Sequence, residues 1–247
     1  MTSQKENINL HNLPQHIAVI MDGNGRWAKQ KGAARIFGHR NAVDAVRAVI
    51  EGSGELGIKY LTLYAFSTEN WGRPKEEIDG LMELLVSTLK KEIKSLNENN
   101  VRLRAIGDLP QLPRNCQDNL FDAIEATKNN TGLTVIIALS YSGRWEIVEA
   151  TRHLAEEVAK GNLKPEEITE QMFASRLETA GVPDPELLIR TSGELRISNF
   201  LLWQIAYTEI YITPTLWPDF RKENLYEAIV AYQKRERRFG KVLERTA

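Results

Sequence analysis

A single cysteine, Cys116, among 247 residues leaves no partner for an intramolecular disulfide and no cysteine-rich metal site. This fits a reducing cytoplasm, and with no electropositive setting evident around it, Cys116 is expected to be an inert helix residue. No apolar run approaches the ~20 residues of a membrane-spanning helix. The polar first segment lacks the hydrophobic centre of a secretory signal. Surplus charge is also missing. A formal net charge of −1 excludes a surface that coats nucleic acid through bulk charge, so any polyanion site must be local and built from clustered arginines. Repeats, low-complexity tracts and linkers are absent, and one domain is the economical reading. What is present is ordinary for a globular chain with a substantial core: 42% hydrophobic and 26% charged residues.

Strand-like and helix-like segments alternate. His16 to Met21, Tyr60 to Phe66, Val101 to Ile106, Leu133 to Leu139, Glu186 to Ile189 and Ala206 to Ile212 read as strands. Helical stripes run over Asn41 to Leu56, Lys75 to Leu96, Leu112 to Thr127, Arg144 to Ala159 and Glu223 to Phe239, with short helices between Pro165 and Leu177. The alternation predicts an α/β fold, a single domain with a central, mostly parallel sheet flanked by helices. The expected organisation is a flexible segment 1–15, a domain over 16–240 and a tail over 241–247. In such folds ligands sit beyond the carboxyl ends of the strands, and that is where the unusual segments fall.

After the first strand comes Asp22-Gly23-Asn24-Gly25-Arg26-Trp27. One carboxylate, a loop of exposed backbone N–H groups and a cation are equipment for a metal-bridged phosphate. The same residues also make a plain Asp-Gly-Asn-Gly turn with a solvated arginine. Arg35, His39 and Arg40 follow, and His39 has the chemistry to donate to phosphate or to cap or fill a core. The second strand ends in Ser67-Thr68-Glu69-Asn70-Trp71-Gly72-Arg73-Pro74, where Asn70 can orient a substrate or water and Trp71 can wall an apolar pocket or simply pack. Arg190, Arg196 and Ser198 surround a later turn and offer the guanidinium forks and hydroxyl that pyrophosphate binding needs. Glu209 is a second candidate metal acid. The stripe around Leu81 to Leu89 suits plain core and equally suits the wall of a hydrocarbon tunnel.

In this order the segments resemble the cis-prenyltransferase family. The match runs from His16 to about Gly240 through His-Ile-Ala-Val-Ile-Met-Asp-Gly-Asn-Gly-Arg-Trp-Ala (16–28), Gly-His (38–39), Leu-Tyr-Ala-Phe-Ser-Thr-Glu-Asn-Trp-Gly-Arg-Pro (63–74), Arg-Thr-Ser-Gly-Glu (190–194), Arg-Ile-Ser-Asn-Phe-Leu-Leu-Trp-Gln (196–204), Tyr-Thr-Glu (207–209) and Trp-Pro-Asp-Phe (217–220). The resemblance implies a hydrophobic tunnel. It also implies magnesium-dependent, sequential cis-condensation of isopentenyl diphosphate onto an allylic primer such as farnesyl diphosphate, most often giving undecaprenyl diphosphate for cell-wall synthesis. The aspartate-rich Asp-Asp-x-x-Asp of trans-prenyltransferases is absent, which agrees.

By position, Asp22 would be the metal-linked essential acid and Glu209 the second magnesium ligand. Gly23, Asn24, Gly25, Arg26, Trp27, Arg35 and His39 would take the allylic diphosphate, and Arg190, Arg196 and Ser198 the isopentenyl diphosphate. Ser67, Thr68, Glu69, Trp71 and Arg73 would place the homoallylic substrate, with Asn70 aiding proton removal although it is no base. A homodimer through 199–212 is implied, with no nucleic-acid partner and peripheral membrane contact only through the lipid product. The small Ser87 is expected to leave tunnel room for a long product.

Two departures stand out. Ser140-Tyr141-Ser142-Gly143-Arg144-Trp145-Glu146 replaces the family's commoner Asn-Tyr-Gly-Gly-Arg-Trp-Asp, and Leu195 replaces a residue that is polar in some relatives. Two rivals are weaker. A haloacid-dehalogenase-type phosphotransferase needs a nucleophilic aspartate where Ile20 stands, and a non-catalytic partner subunit would not be expected to keep Asp22, Arg26, His39, Asn70, Arg190, Arg196 and Ser198.

Overall fold

Five consecutive fully buried residues, His16–Ile20, form strand β1 at the middle of the sheet. With both faces covered, an unbroken apolar run is what such a strand requires. The computed structural model describes residues 4–235. Chain order continues with α1 (Asn24–Gln30), α2 (Arg35–Leu56), β2 (Tyr60–Ser67), α3 (Lys75–Glu98), β3 (Arg102–Ile106), α4 (Arg114–Thr127), β4 (Thr134–Tyr141), α5 (Gly143–Ala159), α6 (Glu170–Ala174), β5 (Leu187–Arg190), β6 (Glu209–Ile212) and α7 (Lys222–Gln233). The sheet order is β3-β4-β2-β1-β5-β6, and every pairing is parallel.

The period-two pleat sends alternate residues into two cores. Ile17, Val19, Leu61, Leu63, Val135 and Leu187 face α2, α3, α4 and α7 through Val49, Met82, Leu120 and Ile229. Ala18, Ile20, Ile136, Ala138 and Leu188 face the other way, onto Phe200, Leu201 and Trp145. From β1 the chain first builds toward β2, β4 and β3, then returns to the other side for β5 and β6. The strand order therefore reverses around β1, and a crevice opens beyond the carboxyl ends of β1, β2 and β5.

Element boundaries agree with the sequence reading within a few residues, except that α2 begins at Arg35 and not at Asn41. Its first turns carry no apolar stripe and contain Gly38. A Cβ at Gly38 would lie 2.1 Å from the Asn24 carbonyl oxygen, so glycine is what lets α2 cross tightly under α1. The N-terminal segment, expected to be flexible, makes contacts: the Gln4 amide donates to Glu223 at 2.9 Å, Lys5 pairs with Glu55 at 2.9 Å, and the Asn9 amide donates to Gln233 at 3.0 Å. The last helix ends at Gln233, short of the expected Phe239; the domain boundary at 240 and the tail 241–247 lie outside the described residues. Among the described residues no helix is long and apolar enough to cross a membrane.

Candidate active site

Asp22 leaves β1 just where Gly23 adopts φ 109°, a conformation only glycine holds without strain, and this turn aims the carboxylate into the crevice. One oxygen accepts from the Gly23 amide at 2.7 Å and the other from Arg190 Nη2 at 2.8 Å, with Arg196 at 4.0 Å. The Thr191 hydroxyl accepts from the Asp22 amide at 2.9 Å and donates to the Asp22 carbonyl at 2.6 Å, pinning the backbone on both sides. Burial pushes the Asp22 carboxyl up, but Arg190 and the Gly23 amide outweigh it and hold it below the usual carboxylate range. It is ionised at neutral pH.

Arg190 ends β5, is 3% exposed, and donates to Ser198 Oγ at 2.9 Å and to the Arg196 carbonyl. Its Nε is a buried donor with no partner. Arg26 donates to Ser192 and, at 2.7 Å, to Glu194, which also pairs with Arg196. A carboxylate thus stands beside guanidinium forks that suit an anion with more oxygens.

Arg35 and His39, one helical turn apart on α2, meet Arg73 from the end of the β2 turn. All three gather on Glu77 in the first turn of α3, at 3.7, 3.9 and 3.0 Å respectively. Burial, together with Arg73 and Arg35 and against the pull of Glu77, lowers the His39 pKa to about 4. The imidazole is therefore neutral at neutral pH, and its Nε2 has no hydrogen-bond partner.

Beyond β2, Asn70 Oδ1 accepts from the Ser67 amide at 3.2 Å, and Glu69 accepts from Asn199 at 2.8 Å. Asn199 also accepts from the Arg144 amide at 3.0 Å, tying the β2 turn, the Arg196–Asn199 loop and the start of α5 together. Tyr64 donates toward the Ser198 carbonyl at 3.3 Å and stacks on Phe200 at 4.3 Å. Ser198 and Asn199 take φ of 50° and 61°, left-handed values that this bracing sustains.

These groups surround a cavity of roughly 690 Å³. Asp22, Gly23, Asn24, Gly25, Arg35, His39, Ser67, Glu69, Asn70, Arg73, Arg190, Arg196 and Ser198 line its polar side, and Val46, Leu63, Leu81, Leu85, Thr88 and Leu139 its apolar depth. An adjoining pocket adds Arg26 and Lys29.

Some expected site residues sit elsewhere. Trp71 is turned inward, donating to Ser140 Oγ at 2.9 Å and packing edge-on against Phe66. Trp27 donates to Asp219 at 2.8 Å and stacks on Phe37, and the Thr68 hydroxyl donates to Glu69. None of the three lines the cavity. Ser87 is exposed on the outer face of α3, so the wall that limits the cavity there is Thr88.

Glu209 opens β6 level with Leu187 and pairs with Arg235 at 2.7 Å. In a parallel sheet the first residue of a strand lies at the amino edge. That puts Glu209 roughly 10 Å along the sheet from the level of Arg190 and still farther from Asp22, so the chain does not bring the two acids together. Among the described residues no group of three or more His, Cys, Asp or Glu is placed to hold a metal ion.

Glu77 and Asn199 were not legible as site residues. The i,i+4 spacing of Arg73 and Glu77 was the available signal for the first, and asparagine's tolerance of positive φ for the second. The departure at Glu146 is structural. Its buried carboxylate, which burial pushes up, accepts from Tyr141 at 2.5 Å, Gln204 at 3.0 Å and the Glu178 amide at 2.9 Å. Cys116 is buried, and burial pushes its thiol up, as an inert residue requires.

Residues 20–240 match a family model described as putative undecaprenyl diphosphate synthase. The chain is 58% identical over 94% of its length to an isoprenyl transferase of Chlorobaculum tepidum, covering 88% of that protein. It is 54% identical over 92% of its length, and 91% of the other's, to a Vibrio cholerae ditrans,polycis-undecaprenyl-diphosphate synthase specific for (2E,6E)-farnesyl diphosphate. Among solved structures it resembles lavandulyl diphosphate synthase from Lavandula x intermedia in complex with dimethylallyl diphosphate, with TM-score 0.90, 40% identity, and coverage of 92% of this chain and 98% of that one. A probable undecaprenyl diphosphate synthase from Campylobacter jejuni gives TM-score 0.77 and 37% identity, covering 93% of this chain and 100% of the other.

Proposed function

The chain belongs to the undecaprenyl diphosphate synthase family of prenyltransferases, and on that premise we propose that it adds isopentenyl diphosphate repeatedly to farnesyl diphosphate with cis geometry. The product is a long polyprenyl diphosphate, undecaprenyl diphosphate, used as a lipid-carrier precursor in cell-wall synthesis. One observation carries the reading. A cavity of roughly 690 Å³ joins a mouth of guanidinium, imidazole and ionised carboxylate to a depth of leucine and valine. That is the shape of a ligand with an anionic head and a hydrocarbon tail, at a size suited to a molecule like farnesyl diphosphate.

Magnesium suits the donors present. Asp22 is ionised, and Asn24 Oδ1 is buried without a partner two residues later. Such an ion takes one or two protein carboxylates and fills its shell with phosphate oxygens and water. Held by Asp22, it would supply charge neutralisation to a diphosphate. Arg26, Arg35 and His39 hold the allylic diphosphate, and Arg73, first expected on the homoallylic side, joins them because it shares Glu77 with Arg35 and His39; together they stabilise the charge that grows as the carbon–oxygen bond breaks. Arg190, Arg196 and Ser198 hold the second diphosphate so that its double bond faces the allylic carbon. The apolar wall keeps water from the cationic carbon. A new carbon–carbon bond forms, and one proton leaves the isopentenyl unit. His39, which burial keeps neutral in the ligand-free site, and the released pyrophosphate are the bases beside the isopentenyl unit.

The resemblance to a structure holding dimethylallyl diphosphate favours a second reading, a short allylic primer. Direct titration separates the two. Each buried methylene contributes about 0.8 kcal/mol, so farnesyl diphosphate is expected to bind at least about tenfold more tightly than dimethylallyl diphosphate. Equal affinities would favour the short primer. Product length is set at the apolar end, and Thr88→Trp, which fills that wall, is expected to shift products to shorter chains when they are resolved by chromatography.

The reading includes a homodimer through 199–212, working in the cytoplasm with membrane contact through its product. Support comes from β6, which among the described residues pairs with β5 alone, and from Trp203 and Ile210, which are exposed beside it. An unpaired edge flanked by apolar side chains calls for cover.

A further inference from the structure

Two guanidiniums and an imidazole form the allylic side of the mouth, and behind them lies one carboxylate. Glu77 is only 11% exposed and contacts Arg73 at 3.0 Å, Arg35 at 3.7 Å and His39 at 3.9 Å. Arg35, His39 and Arg73 line the cavity, whereas Glu77 does not. Its neighbour Glu76, in the same helical turn, is exposed and shares none of these contacts. The carboxylate is thus set as a fixed negative charge on the far side of the anion-binding groups.

Such a charge has two opposing effects. It holds the guanidinium of Arg73 in place through a close ion pair, and it subtracts from the positive potential the diphosphate experiences. Arg35 and His39 are anchored by the backbone of α2 whether or not Glu77 is charged, while a unit charge several ångströms from a diphosphate is felt strongly in a half-buried pocket. Each condensation leaves a free pyrophosphate among these groups. A pocket with unbalanced cations would retain it and stall the next cycle.

We propose that Glu77 is a positioning residue of the allylic diphosphate pocket, whose half-buried carboxylate offsets Arg35 and Arg73 so that the diphosphate is bound and the pyrophosphate product is released. The proposal rests on the diphosphate chemistry proposed above, and the experiment separates the two. Glu77→Gln keeps the side chain's size and an oxygen facing Arg73 but removes the charge. Titrated with inorganic pyrophosphate in magnesium-free buffer, the folded variant is expected to bind about tenfold more tightly than wild type. In steady state its kcat and its KM for the allylic diphosphate are expected to fall together, a pattern that mere loss of structure does not produce.

Glu76→Gln removes the same charge from the same turn and is expected to leave pyrophosphate affinity unchanged. An equal tightening in Glu76→Gln would assign the effect to the general field and overturn the proposal, as would unchanged or weaker pyrophosphate binding by Glu77→Gln. Wild-type protein that takes up no pyrophosphate would instead contradict the diphosphate reading itself.

Discussion

Asp22→Asn is expected to lower kcat by about 10³-fold in a protein that still folds, with a stability loss of about 1–3 kcal/mol at neutral pH. The amide is the same size, and its oxygen still accepts from the Gly23 amide. What it lacks is the charge that meets Arg190 Nη2 at 2.8 Å and would hold magnesium. Asp22→Ala would reach the same loss of activity less cleanly. It leaves the same donor of Arg190, which is 3% exposed, without its partner and also removes the acceptor of the Gly23 amide. The asparagine variant is the better probe because it keeps the side chain's size and the Gly23 contact. The pH behaviour follows the same pair. Because the fold holds the Asp22 carboxyl below its usual range, the stability it adds is present above that range and lost as pH falls through it. Denaturant melts at several pH values should show a smaller acid loss in Asp22→Asn than in wild type, since Glu55 and Glu69 are held low in both. A variant that folds and keeps near-normal turnover would remove Asp22 from the chemistry.

Arg190→Lys is expected to raise KM for isopentenyl diphosphate by about 10²-fold while leaving farnesyl diphosphate affinity unchanged. Arg190 spans the Asp22 carboxylate and Ser198 Oγ with its two terminal nitrogens and keeps a third donor, Nε, free and buried. A lysine carries one point charge and cannot bridge both partners while also facing a diphosphate. The separation between the two substrates is the informative part. Arg190 and Ser198 lie on the β5 side of Asp22, and Arg35, His39 and Arg73 on the β2 side. Initial-rate kinetics with each substrate varied in turn would show a change confined to one KM. Equal losses for both substrates would mean that Arg190 supports the whole crevice and not one half of it.

Much of the fold was legible because its signals are local. The continuous apolar runs of β1 and β4 mark strands covered on both faces, and Ile78, Leu81, Leu85 and Leu89 mark one face of α3. The site was legible where chemistry follows directly on a strand end: Asp22 after β1, Asn70 after β2, Arg190 closing β5. It was hidden where a partner is distant in sequence. Trp71 reads as a pocket wall until Ser140 is seen to take its indole N–H. Trp27 is claimed in the same way by Asp219.

The start of α2 was missed because Gly38 normally weakens a helix. Here a neighbouring backbone needs the space. Glu209 could not be placed from the sequence: as the first residue of a parallel strand it stands, within one chain, at the edge opposite Asp22. Glu77 reads as an ordinary acidic first turn of a helix. Only the packing of α3 on α2 shows what that acid faces.

The most direct test of the central claim is an incubation of the purified protein with farnesyl diphosphate and labelled isopentenyl diphosphate, with and without magnesium, resolving products by chain length. The account predicts long polyprenyl diphosphates that require magnesium and disappear in Asp22→Asn. Well-folded protein that binds both diphosphates yet forms no carbon–carbon bond, with magnesium present and with any primer length, would contradict it.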